Sequence, residues 1–91
     1  MNDFHTETIH EPVSVLASFS RSERGSVKVI PHLMKWRQRR YRLDQMGLYH
    51  PERRGTKQIH IFSFMAEETS FRVELDPETL EWTLVGVSYG A

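Results

Sequence analysis

Residues 33–44 read LMKWRQRRYRLD, and the order of side chains in this stretch decides the fold. Met34, Trp36, Tyr41 and Leu43 stand at alternate positions on either side of a polar, basic centre. Such a period of two, repeated around a turn, is the pattern of an antiparallel hairpin. A turn of two residues (Gln38, Arg39) and a turn of four (Arg37 to Arg40) share one centre, so either predicts Trp36 opposite Tyr41 and Met34 opposite Leu43. The apolar side chains then share a face. On the other face Lys35 lies across from Arg42 and Arg37 close to Arg40, and like charges directly opposed cost stability.

Outward from the hairpin, runs of β-branched and aromatic residues alternate with turn chemistry and helix signals are nearly absent. Strands are expected at Val13–Phe19, Val27–Met34, Arg40–Tyr49, Gln58–Ala66, Ser70–Leu75 and Glu81–Tyr89. Pro31 cannot donate to a ladder and marks an edge or a bulge in the second of these. Asp76 to Thr79 carries Asp and Pro at the first two positions, which suits a type I turn. His50 to Lys57, with Pro51 and Gly55, reads as an exposed basic loop. Residues 1–12 show no strand or helix period and read as a mobile N-terminal tail before a single β domain at 13–90. The expectation is an all-β, six-stranded antiparallel meander curled into a barrel or half-barrel.

Charge is distributed unevenly. Between Arg21 and Lys57 eleven Lys and Arg face three acids, a net of +8, while residues 1–20 carry −3 and residues 58–91 carry −5. The formal net charge of zero therefore conceals a basic middle between acidic ends. Two readings follow: pairing with acids elsewhere in the chain, or a face for phosphates or another acidic partner. Lys35, Arg37, Arg39, Arg40, Arg42, Arg53, Arg54 and Lys57 are the candidate residues of such a face. Arginine prevails among them, and its fork matches phosphate geometry better than a lysine point charge does.

Gln58–Ala66 is apolar on both faces. Ile59, Ile61 and Met65 alternate with Phe62, Phe64 and Ala66, so both sides require cover. A central strand in a curled sheet provides it. The alternative is a self-complementary dimer contact through Phe62 and Phe64.

With 91 residues the chain is sized for one small domain, and the absence of cysteine removes disulfides, thiolate zinc sites and Cys nucleophiles. The glycines at 25, 47, 55, 86 and 90 are isolated, so no phosphate-cradling loop is present. His32, His50 and His60 lack a carboxylate partner in a metal-ligand pattern, and no catalytic grouping emerges. Neither a cofactor, a metal nor a small-molecule ligand is implied. Nothing resembles a signal peptide or membrane span, and the expected setting is the cytoplasm.

The succession Pro31, Leu33, Trp36, Arg37, Arg39, Tyr41, Leu43, then Ile59 to Phe64, then Phe71, Val73, Leu75, Asp76, Trp82 and Leu84 resembles uncharacterised families of short bacterial β domains. In those the hairpin reads Trp, basic, Gly, Arg and then Tyr one position later, and the chain closes with an Asp turn, a Trp and an apolar strand. Gln38 stands here where glycine is common. The resemblance implies a bacterial or phage origin and a small all-β fold, and it transfers no activity. Two functions are expected from the residues: a polyanion-binding, specifically nucleic-acid-binding, module using the basic hairpin and loop, or a protein-interaction or homodimerising module using the aromatic fourth strand.

Overall fold

Seven antiparallel strands form one open sheet with spatial order β3-β2-β1-β7-β6-β5-β4. The computed structural model describes residues 5–43 and 45–89. The strands are β1 (His5–Arg21), β2 (Val27–Trp36), β3 (Arg39–Arg42), β4 (Gln45–Arg54), β5 (Lys57–Ala66), β6 (Thr69–Leu75) and β7 (Trp82–Tyr89). No helix among the described residues is long and apolar enough to cross a membrane.

The length of β1 determines how the sheet curls. Its first half pairs with β7, from His5 opposite Tyr89 to Val13 opposite Trp82, and its second half pairs with β2, from Ser14 opposite Lys35 to Arg21 opposite Val27. Register shifts between Thr8 and Glu11 and between Leu16 and Ala17 bend the strand, as bulges do. Changing partner midway lets β1 fold the three-stranded β1–β2–β3 part across the inner face of β4–β7.

That fold encloses the core. Met34 and Trp36 from β2 and Leu43 beyond β3 meet Phe62, Phe64 and Ala66 of β5, Phe71, Val73 and Leu75 of β6, and Leu84 and Val87 of β7. The Tyr41 and Phe71 rings lie 4.9 Å apart, and Trp36 meets Phe71 edge-on at 6.1 Å. Trp36 and Tyr41 point the same way, with ring centroids 6.2 Å apart, as the alternation requires.

Several expectations change. The expected third strand is two, β3 and β4, because Leu43 enters the core and β3, paired with β2, is followed by β4 on the far edge of β5. The sheet is therefore seven-stranded and open, with β3 and β4 as its edges. Residues 5–12, expected as a mobile tail, form the first half of β1, since their backbone pairs with β7 whatever their apolar content. His50–Arg54 is strand rather than loop, joined to β5 by the two-residue turn Gly55-Thr56 with Gly55 at φ 64°. Asp76 caps its own turn as expected, Oδ1 accepting from the Glu78 backbone N–H at 2.8 Å, but the closing bond is one residue wider than that of a type I turn: the Leu80 N–H donates to the Asp76 carbonyl at 2.7 Å, with Leu80 at φ 64°.

The hairpin turn lies one residue earlier than expected. It is Arg37-Gln38, both at positive φ (51° and 65°) as a type I′ turn requires, so Trp36 pairs with Arg39, Met34 with Tyr41, Lys35 with Arg40 and Leu33 with Arg42. Parity survives the shift, and the faces are those expected. Phe62 and Phe64 are each 1% exposed, which places the expected partner interface in the interior. The opposite face of β5 is covered at Ile59 and Ile61, while Met65 at its far end is 42% exposed. Arg54 on β4 bonds Glu74 on β6 through both terminal nitrogens, at 2.8 and 2.6 Å, and so reaches across β5, where Ile59 and Ile61 are both buried. In the register Glu52 lies opposite Ile59 and Glu74 opposite Ile61, so this ion network covers that part of the second apolar face.

Candidate polyanion interface

Acids elsewhere in the sheet and its turns pair with half of the candidate cations. Glu11 on β1 takes Arg37 at 2.7 Å, and Glu67 in the β5–β6 turn takes Arg39 at 2.5 Å. Arg54 lies between Glu52 and Glu74 at 2.5 and 2.6 Å, and Lys57 bonds Asp76 at 2.9 Å with Glu78 at 3.7 Å. Two of these arginines also lie over rings, Arg37 at 4.6 Å from the Trp36 centroid and Arg39 at 5.2 Å from that of Tyr41. The carboxylates respond as close cation partners dictate. Arg37, and after it the Trp36 indole N–H, hold Glu11 below the usual carboxylate range, while Lys57 and the Glu78 backbone N–H do the same for Asp76. Hydrogen bonds from Glu74 and then Glu52 raise Arg54, and Asp76 raises Lys57.

Lys35, Arg40, Arg42 and Arg53 differ from these four. Among the described residues none of them has an acid within ion-pair distance, and all are exposed. Lys35, Arg40 and Arg42 share the outer face of the β1–β2–β3 part, opposite to Met34, Trp36 and Tyr41. Ser14 pairs with Lys35, Leu16 with Leu33, Ser18 with Ile30 and Ser20 with Lys28, so the same face extends through three serines to Lys28. The bulge residue His32 joins it, bonding Ser18 Oγ at 2.8 Å through Nε2. Between Ser14 and Arg42 there are eight Lys and Arg and a single acid, Glu23 in the β1–β2 turn. Arg53 lies apart on β4, opposite Gln58.

The structure thus divides the expected patch. Lys35, Arg40 and Arg42 come together, and Lys28, not among the candidates, joins them because the bulge at His32 reverses the parity of β2 between Leu33 and Ile30. Arg37, Arg39, Arg54 and Lys57 serve as internal ties. The expected opposition of Lys35 and Arg42 is in fact Lys35 and Arg40, equally a like-charge pair. Asp44, one acid that would relieve it, lies outside the described residues. A notch of about 320 Å³ lined by Pro12, Val13, Ser14, Lys35, Arg37 and Gln38 adjoins the face at the hairpin end. The histidines are dispersed: His32 is held by Ser18, and His60 Nδ1 by the Tyr49 hydroxyl at 2.8 Å. No family model, curated protein or solved structure matches this chain.

Proposed function

We propose that the protein is a binding module for a polyanion, with nucleic acid as the class of partner, and that the outer face of β1, β2 and β3 is its contact surface. The observation that carries this reading is the opposition of Lys35 and Arg40 with no described acid in reach, on strands that bring Lys28 and Arg42 to the same face. The fold pairs Arg37, Arg39, Arg54 and Lys57 with acids but gives this cluster none among the described residues, and phosphates would remove that repulsion. Ser14, Ser18 and Ser20 add hydroxyl donors suited to phosphate oxygens.

Self-association has less support. Phe62 and Phe64 are interior, and the β4 edge carries Pro51, Glu52, Arg53 and Arg54, side chains that discourage edge-to-edge pairing.

Anisotropy titration of labelled single- and double-stranded oligonucleotides across a salt series tests the proposal. With four cations engaged, log affinity should fall against log salt with a slope of about −2.8 on a single strand and about −3.6 on a duplex. Failure to bind either at low salt ends it.

A further inference from the structure

The open side of the sheet holds a cleft that the outer basic face does not use. β3 pairs only with Leu33–Trp36 of β2, so Val27–Ile30 have no strand partner on that side among the described residues. Facing them across the opening are Tyr49 of β4 and His60 of β5. Together with Ser26 and Lys28 these residues line a cavity of about 320 Å³. One wall is aliphatic, Val27 and Val29. The other is aromatic: the Tyr49 and His60 rings lie nearly parallel, 18° apart with centroids at 5.9 Å, locked by the hydrogen bond between Tyr49 Oη and His60 Nδ1. Tyr49 rests on Phe62 at 5.1 Å and is still 44% exposed.

A slot with an aliphatic wall, a fixed aromatic wall and an unpaired backbone edge suits a flat heteroaromatic group that also carries hydrogen-bonding atoms. Its flanks are cationic. Lys28 borders the cavity and leads to the Lys35–Arg40–Arg42 face, and Arg53 sits further along β4 on Tyr49's face of the strand. We infer that this cleft takes an unpaired base of a single-stranded nucleic acid, stacked on Tyr49 and His60, with the adjoining phosphates on Lys28 and Arg53. The inference rests on the polyanion reading and adds to it a preference for single strands, since a base held in a duplex cannot enter the slot.

The test compares a labelled single-stranded oligonucleotide with an abasic strand of equal phosphate number, at one salt concentration, on the wild-type protein, Tyr49→Ala and Tyr49→Phe. The expected wild-type preference for the base-bearing strand is about tenfold; Tyr49→Ala removes it without changing abasic affinity, and Tyr49→Phe keeps it. Photocrosslinking of a 5-bromouracil strand to the wild-type protein, independent of how any variant folds, should mark Tyr49 or His60. Equal wild-type affinity for the two strands, or crosslinks only at other residues, overturns the stacking site while leaving the basic face intact. Binding of neither strand overturns both.

Discussion

The indole Nε1 of Trp36 donates a hydrogen bond of 2.9 Å to Oε1 of Glu11, joining the basic hairpin to a strand 25 residues earlier. The same carboxylate takes Arg37 through Oε2, so one acid satisfies a largely buried indole, the turn arginine and the tilt of the hairpin over Phe71. Removing the indole opens a cavity and leaves Glu11 with Arg37 alone. Trp36→Ala should cost about 3–5 kcal/mol in urea denaturation, and a loss below about 1 kcal/mol would show that the hairpin does not seal the core.

Stability should decline in acid because of Glu11 and Asp76. Both carboxyls are lowered in the fold from ordinary values of 4.5 and 3.8, so their contribution is present above those values and is lost as pH falls through the lowered ones. Glu11→Gln with Asp76→Asn should lower Tm at pH 7, where the ionised carboxylates contribute, and flatten the acid limb of a plot of Tm against pH. An acid limb as steep as that of the wild type would assign the sensitivity to other groups.

The turn at Arg37-Gln38 holds two ordinary residues at positive φ, a conformation that glycine adopts without steric cost. Gln38→Gly should therefore stabilise the protein by about 1 kcal/mol. Destabilisation by the same change would mean that the Gln38 side chain makes a contact of its own.

Arg54 lies over the apolar outer face of β5 as much as it pairs with Glu74. Arg54→Lys retains charge but not the two-pronged bond to Glu74, and should lose about 1 kcal/mol at both low and high salt. A loss that vanishes in high salt would make the contact purely electrostatic.

Parity was legible in the sequence and register was not. The alternation from Leu33 to Leu43 assigns faces whichever residues turn, so Met34, Trp36 and Tyr41 turn inward as read. The turn centre depends on left-handed backbone at Arg37 and Gln38, for which neither residue carries a signal. Residues 5–12 were opaque for another reason: β7 supplies their hydrogen bonds, and a strand held by its backbone needs little apolar content. The division of the cations depends on tertiary pairing, since Glu11, Glu67, Glu74 and Asp76 reach their partners across 26, 28, 20 and 19 positions. What could be read was the basic excess; which members lack an acid partner among the described residues is set by these cross-strand pairings.

Two charge-matched variants measured by oligonucleotide anisotropy test the central claim most directly: Lys35→Gln with Arg40→Gln, and Arg37→Gln with Arg39→Gln. The first pair should weaken binding at least about tenfold and reduce the magnitude of the salt slope by about 1.4 on a single strand, while the second, removing cations already tied to Glu11 and Glu67, should change both little. Equal losses from the two pairs, or a larger loss from the second, would contradict the account.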